Sequence, residues 1–519
     1  AGAAGHVILA GVSGPALPAW WHRLRRDGVL CEQGFPEFLA EARPGVLPGE
    51  GGGAVVLAPY ATVAAGGESV HALVTGVGDG SAESAVSGDG AGSGIRAALD
   101  AAGAGACPDY IEVAGGVSPG LDDRVLADLQ DAYGGRTTEA ATTAIGSLTP
   151  VVGWTLNAAG LAALIKTARA LACRILPPTP GSAPPGEALC RSRFYTSRRA
   201  RPWLKPPACG VRTAAVLACG PSGHVGGALL QAALDETTRP AAPGLERPTE
   251  LLAFAADSRA ALRTQLQAAQ ARLGSPAPAA EFAALAAEAP AAASAGGLAV
   301  RAAIVAAPGS ACGLLDAALA SLDADAPPVA DVFLGWDATP APPRLTAVFP
   351  GVGYPGLEGD LPEHLLTHAM LFPEVRRFLD GQEPRDHNPD DPLPTSLLLA
   401  PPETAPPGLA AGLRARFSLA APADGGNLRF DNLPPDRRSL VPPTVLMADW
   451  VGWLLTRRLG VEPDSFLGQS IGDLPALCAA GHLDLPEVLA DLWPVAAAEY
   501  HLSTLGTTAV FQGREAQLG

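Results

Sequence analysis

None of the eight cysteines stands in a Cys-x-x-Cys pair. Their scatter argues against a zinc site and against a disulfide framework, so buried reduced thiols, a cytoplasmic location and no metal are expected. Positive charge is scarce as well: 35 Lys and Arg face 52 Asp and Glu, for a formal net charge of −17. That balance argues against nucleic acid or an anionic membrane as the main partner. No uninterrupted apolar run reaches the about 18 residues of a membrane span. The opening Ala1-Gly2-Ala3-Ala4-Gly5-His6 lacks the charged head of a signal peptide.

What the chain does have is length and apolar content. At 519 residues it exceeds one ordinary core, so two or three domains are expected, and a 48% hydrophobic content can fill them. Its 61 glycines and 51 prolines fit a globular protein with Pro-rich connectors. Val7–Val12 and Ala54–Ala58 read as buried strands, and Ser93–Leu99 opens a helix. Short apolar strands alternating with helices imply an α/β layer structure. Pro-rich stretches at 177–186, 238–248 and 401–409 mark edges and loops. Between 249 and 335 two strand–helix units follow one another, Leu251–Phe254 with Ser258–Leu273 and Val300–Val305 with Ala311–Leu322, enough for a small α/β domain. Residues 444–459 read as a helix leading into a further strand.

That last strand ends in the most informative run of the chain, Gly468-Gln469-Ser470-Ile471-Gly472-Asp473. Gly-x-Ser-x-Gly after a short apolar strand is the pattern of a nucleophile elbow, where glycines permit the close backbone approach that exposes a serine hydroxyl. Ser470 is therefore the candidate acyl carrier. The alternative is a relic elbow without activity.

A family resemblance covers nearly the whole chain. Residues 1–235 resemble the C-terminal half of a ketosynthase of the polyketide and fatty-acid synthase type, through Gly49–Leu57, Tyr110-Ile111-Glu112, Asn157–Leu161 with Ile165-Lys166, and Phe194-Tyr195 with Arg201-Pro202-Trp203. The stretch 249–335 resembles the ketosynthase-to-acyltransferase linker, and 345–519 the first part of an acyltransferase, beginning at Ala347–Gly351. The fold class implied is α/β throughout: a partial thiolase-like αβαβα domain over 1–240, a small α/β linker domain over 241–342, and a partial α/β-hydrolase-like acyltransferase domain over 343–519. Half of a layered fold cannot bury both sides of its sheets, so an exposed apolar face is expected within 1–235.

Departures from the family are as informative as the matches. Ketosynthases carry two histidines, in a His-Gly-Thr-Gly-Thr loop and an Asn-Ile-Gly-His loop. Here Ala114 stands at the first position, Trp154 at the second, and Thr149 where a lysine is expected five residues earlier. Alanine and tryptophan cannot shuttle protons or stabilise a developing enolate, so the resemblance implies a ketosynthase fold silent in condensation. Such a copy resembles a chain-length factor, the inactive partner of a true ketosynthase; a decayed domain kept as scaffold is the other reading. His224, beside the turn Gly220–Gly223, is expected to be structural.

In the acyltransferase part the resemblance makes Ser470 the nucleophile, activated by a histidine placed well downstream, beyond Gly519. Backbone N–H groups of Ile471 and of Val352, which replaces the usual glutamine, would hold the oxyanion. Gln469 replaces the histidine that commonly precedes the serine. Malonyl-loading relatives carry an arginine near the position of Val495, for a bidentate grip on the free carboxylate. Trp493–Tyr500 contains none, and beyond it only His501 and Arg514 could supply a cation, so an uncharged acyl group is favoured. No cofactor is expected to bind directly. Acyl-CoA or a phosphopantetheinyl acyl-carrier protein would be substrate, and acyl-carrier protein with an active ketosynthase or a second copy the partners. Two functions stay open: acyl transfer through Ser470 in a polyketide or polyunsaturated fatty-acid synthase, and a non-catalytic module that pairs with an active ketosynthase.

Overall fold

The computed structural model describes residues 5–14, 18–32, 35–41, 45–66, 69–81, 91–103, 105, 107–115, 119–134, 143–181, 183–205, 210–220, 224–233, 249–274, 278–293, 300–324, 329–336, 344–351, 361–382 and 441–490. The chain falls into two units, one made of Ala1–Pro243 with Leu345–Gly519 and the other of Gly244–Arg344. The Pro-rich segments 238–248 and 401–409 lie outside the described residues.

In the first unit the chain runs β1 (Val7–Ser13), α1 (Pro18–Arg26), β2 (Gly51–Leu57), α2 (Tyr60–Gly66), β3 (Leu73–Ser81), α3 (Ala91–Ala101), β4 (Tyr110–Ala114), α4 (Pro119–Tyr133), β5 (Thr143–Ser147), α5 (Thr149–Val152), α6 (Ala159–Cys173), β6 (Ile175–Leu176), α7 (Glu187–Arg191), β7 (Phe194–Tyr195), β8 (Arg201–Pro202), β9 (Thr213–Cys219) and β10 (His224–Gln231). Six of these strands form one sheet in the order β3-β10-β9-β4-β5-β7. Its interior strands β4 and β5 are buried at every residue. Burial on both faces requires cover on both, and the side chains supply it. Ile111 and Val113 point into a core with Ile95 and Leu99 of α3 and Val125 and Leu129 of α4. Tyr110 and Ala114 point the other way, into a core with Ala163, Ala170 and Leu171 of α6.

Beyond α6 lies a second, smaller sheet, the antiparallel pair β1–β2. Gly53 faces α6 so closely that a Cβ there would sit 2.9 Å from Ile165 Cδ1. The layers are thus α3/α4, sheet, α6, ribbon: four layers of an αβαβα stack among the described residues. Here the sequence expectation needs correction. Val7–Val12 and Ala54–Leu57 are strand, with Ala58 just past its end, but they are not buried: Ile8 is 73% exposed, Val12 70% and Val56 65%. The strands alternate: Gly11, Gly53 and Val55 are half-buried on the side of α6, whereas the outer residues Ile8, Val12 and Val56 meet no described layer. The apolar face expected of half a layered fold is this one.

Among the described residues, Leu156–Cys173 is long and apolar enough to cross a membrane, with mean hydropathy 1.2. Its Leu161, Ala163, Ala170 and Leu171 are buried in the layers just described, so that hydropathy serves the core. The seven described cysteines are free thiols.

The second unit is a sheet in the order β11 (Glu250–Ala256), β12 (Val300–Ala306), β13 (Val332–Gly335), with α8 (Arg259–Leu273), α9 (Ala279–Ala293) and α10 (Ala311–Ala324). Ser258 caps α8 by accepting from Ala261 N at 3.2 Å, and Leu262, Leu266, Ala269 and Leu273 form its buried stripe. The pairs β11–β12 and β12–β13 are antiparallel.

The first unit resumes with β14 (Thr346–Phe349), α11 (Leu361–Leu371), α12 (Pro373–Asp380), α13 (Val441–Arg458), β15 (Ser465–Gly468) and α14 (Asp473–Ala479). Of the α/β-hydrolase-like architecture expected over 343–519, the described residues hold one parallel strand pair, β14–β15, with its helices. Arg376 of α12 donates to Ala369 O at 3.0 Å and to Met370 O at 3.4 Å, satisfying carbonyls in the last turn of α11, and reaches Cys173 O of α6 at 3.0 Å. Asp380 accepts from Arg212 at 2.7 Å and from Lys205 N at 2.9 Å. These bonds join α12 to the end of α6 and to the residues flanking β8 and β9.

Candidate active site

The sharpest local geometry is at the end of β15. Gln469 N donates to Phe349 O at 3.0 Å, continuing the parallel pair for one residue. Ser470 then takes φ 56°, a left-handed conformation that costs a residue bearing a Cβ about 1–2 kcal/mol. A single 3₁₀ turn, Ser470–Gly472, leads directly into α14. The flanking glycines are sterically required. A Cβ on Gly468 would lie 2.3 Å from Asp473 Cα, and one on Gly472 would lie 2.2 Å from Phe349 O. Gly351, in the loop after β14, approaches as closely: its Cβ would fall 2.8 Å from Ser470 Cβ. The turn is therefore held by backbone contact on three sides while the Ser470 side chain stays exposed. Strain of this kind persists only where surrounding structure over-determines it.

Ile471, the expected oxyanion donor after Ser470, packs its side chain into a cluster with Leu446 and Met447 of α13. That contact fixes the backbone that carries its N–H. Val352, the second expected donor, lies outside the described residues, as do Trp493–Tyr500, His501 and Arg514. Asp473 sits in the first turn of α14, and burial raises its carboxyl above the ordinary value. Burial pushes the Cys478 thiol up to about 11, which leaves it protonated and inert.

Of the three positions read as ketosynthase departures, Ala114 and Thr149 lie at the C-terminal ends of β4 and β5 and Trp154 lies apart. Ala114 is the last residue of β4 and is buried. Thr149 opens α5; its Oγ1 donates to Gly115 O at 2.6 Å and its N–H reaches Ser147 Oγ at 3.2 Å. Trp154 is 5% exposed and sits in a separate apolar cluster with Leu24 and Val46, its ring 5.7 Å from that of Trp20. Its backbone is fixed from both sides, N–H to Leu47 O at 2.7 Å and carbonyl from Gly49 N at 3.0 Å. A hydrogen-bonded threonine, a buried alanine and a packed indole contain no group that takes up a proton near neutrality. His224 opens β10, accepts from Gly220 N at 2.8 Å through its carbonyl, and exposes its side chain.

One ionisable cluster was not singled out by sequence reasoning. On the same face of β4 as Ala114, Glu112 Oε2 accepts from Lys166 Nζ at 2.7 Å and from the Tyr110 hydroxyl, while Oε1 is buried without a hydrogen-bond partner. Burial raises the Glu112 carboxyl despite Lys166, and burial with Glu112 beside it raises Tyr110 well above its ordinary value. The signal in the sequence was Lys166, which with Arg169 is one of two charged residues in the run Leu161–Ala172.

Residues 68–182 match the family described as beta-ketoacyl synthase, C-terminal domain. Among curated relatives, polyketide synthase ThaG of Burkholderia thailandensis is 34% identical over 194 residues, covering 34% of this chain and 3% of that protein. A polyunsaturated fatty acid synthase component from Thraustochytrium sp. is 32% identical over 262 residues, 45% of this chain and 9% of that one. Polyketide synthase GfsA of Streptomyces halstedii is 29% identical over 503 residues, 92% of this chain and 6% of that one. The chain thus spans less than a tenth of the length of these relatives. Among solved structures, the oxazolomycin ketosynthase domain OzmH KS7 of Streptomyces albus is 25% identical with a TM-score of 0.41, covering 66% of this chain and 59% of its own. The ishigamide ketosynthase/chain length factor is 24% identical with a TM-score of 0.38, covering 44% and 54%.

Proposed function

Because the chain carries a ketosynthase-like polyketide synthase region, we propose that it is a synthase segment joining a condensation-silent ketosynthase-like body to an acyltransferase that works through Ser470. The observation that carries the second half is the strained serine, at φ 56° between a strand and a helix, with Gly351, Gly468 and Gly472 each too close to a neighbour to bear a side chain. In the reaction, Ser470 Oγ bonds to the carbonyl carbon of an acyl thioester as its proton passes to a general base. The negative charge gathers on the carbonyl oxygen, toward the N–H groups of Ile471 and Val352. The carbon–sulfur bond then breaks, the thiol leaves with the proton, and an acyl-serine remains. A second thiol repeats the sequence in reverse.

The donor would be acyl-CoA or an acyl group on the phosphopantetheine of an acyl-carrier protein, with no cofactor bound by the chain itself. An uncharged acyl group is preferred to malonyl, since a desolvated carboxylate without a paired cation is strongly disfavoured. The ketosynthase-like body would pair with an active ketosynthase or with a second copy. Ala114, Thr149 and Trp154 support silence in condensation. They also favour the second reading, a chain-length-factor or scaffold module without chemistry of its own.

A serine-directed fluorophosphonate separates the two. Applied to the chain extended through the histidine expected beyond Gly519 and followed by peptide mapping, it should modify Ser470 within this segment, and modification should vanish in Ser470→Ala. An unmodified wild-type chain leaves the scaffold reading standing and removes the acyl-serine.

A further inference from the structure

A carboxyl that the reaction above does not use lies behind the elbow. Asp449 is on α13, 8% exposed, and its Oδ2 is buried with no hydrogen-bond partner. Its place is set by the helix. Four residues on, Trp453 packs edge-on against Phe349 of β14, ring centroids 6.3 Å apart, and against Phe466 of β15, 5.4 Å apart. From Arg458 the chain turns through Leu459-Gly460 and enters β15 at Ser465. Asp449 precedes Trp453 by one helical turn, about 6 Å. Phe349, which Trp453 touches, is in register with Gly468, and α13 packs against the Ser470–Gly472 turn and α14.

Among the described residues, several charged groups on the elements around α13 have partners of their own. Glu374 of α12 pairs with Arg458 at 2.6 Å, Arg376 with backbone carbonyls and Asp380 with Arg212. His368 stacks on Phe372, and Asp473 lies within α14. Burial alone acts on Asp449, and it raises the carboxyl to about 7. A neutral carboxyl can remain in this packing; a carboxylate with an unpartnered oxygen cannot, and is driven toward water.

We propose that Asp449 is a positioning residue for Ser470: protonated, it lets α13 seat against the two strands that carry Ser470 and Gly351, and ionised, it unseats them. The proposal rests on the acyl-serine reading for its functional meaning. The sign follows from the shift. An aspartate of unfolded pKa about 3.9 that titrates higher in the fold is tolerated at low pH, and its penalty grows as pH rises toward the folded value. The strained φ of Ser470 depends on tight packing, so the elbow loosens as Asp449 ionises.

Two measurements on the chain extended through the histidine expected beyond Gly519 test this, each against Asp449→Asn and, should the amide disturb folding, Asp449→Leu. The first is tryptophan emission, to which Trp450 and Trp453 contribute, between about pH 6 and about pH 8.5. The second is the rate of fluorophosphonate modification at Ser470 over the same range, taken as the ratio of variant to wild type so that the base's own titration cancels. Emission should titrate near neutrality in the wild type and be flat in both variants, while the rate ratio rises roughly tenfold or more. An emission titration that is absent, or unchanged in the variants, overturns the proposal, as does a constant rate ratio beside an Asp449-dependent emission change. If Ser470 is modified at no pH, the acyl-serine reading falls, and emission alone decides whether Asp449 controls the seating of α13.

Discussion

Lys166 holds the buried end of Glu112 at 2.7 Å, with the carboxylate fully buried and the lysine 14% exposed. Removing one member of such a pair leaves an uncompensated charge, whereas removing both need not destabilise. Lys166→Met should therefore lower unfolding free energy by about 3–5 kcal/mol. The double variant Lys166→Met with Glu112→Gln should recover most of that loss in urea titrations. A double variant as unstable as the single one would show that the pair is not the source of the cost. The pair spans 54 positions in sequence and two separate elements, so no local pattern announces it. Ser470 is the opposite case. Its left-handed turn is dictated by glycines two residues to either side, a constraint written within five residues, and the strand, turn and helix are all legible there. Ala114, Thr149 and Trp154 could be read as departures from a motif. That Trp154 would be packed against Trp20 could not, because 134 positions separate them.

At the scale of elements, α12 is tethered by buried ionic contacts and by Arg376 bonds to backbone carbonyls. Arg212 is 5% exposed and Asp380 11% in a contact of 2.7 Å. Burial raises the Asp380 carboxyl, and Arg212 opposes that shift. Arg212→Met should cost about 3–5 kcal/mol by stranding the carboxyl, and adding Asp380→Asn should restore part of it. The check is the urea midpoint at constant m-value; a loss below about 1 kcal/mol would mean that the contact is not held in solution. Elements with a single buried stripe, such as α8, followed directly from apolar spacing. Others did not. Pro290 within α9 argues against a helix there, since proline removes an interior donor, and β13 has only four residues with which to show a period. β1 and β2 have the composition of buried strands, but composition reports what a strand could bury and not whether a layer arrives to cover it.

For the whole molecule, the open face of the β1–β2 ribbon makes a clear expectation. Ile8 and Val12 meet no described neighbour on that side, and surface substitutions away from packed features change stability by about 0.5 kcal/mol or less. Ile8→Lys with Val12→Lys should leave the thermal midpoint nearly unchanged and reduce binding of a hydrophobic dye. A fall of several degrees would show the face to be covered in solution. The other large-scale feature is the path of the chain, which leaves the first unit at Pro243 and re-enters it at Leu345. Arg212 and Asp380 are 168 positions apart, and ribosomes add about 5–20 residues per second. Arg212 therefore emerges roughly ten to thirty seconds before the carboxylate that neutralises it. Through that interval the nascent ketosynthase-like body carries an unfinished docking surface, with Arg212 and the Cys173 carbonyl waiting for α12. Synthesis of the 244–344 unit falls inside the same interval.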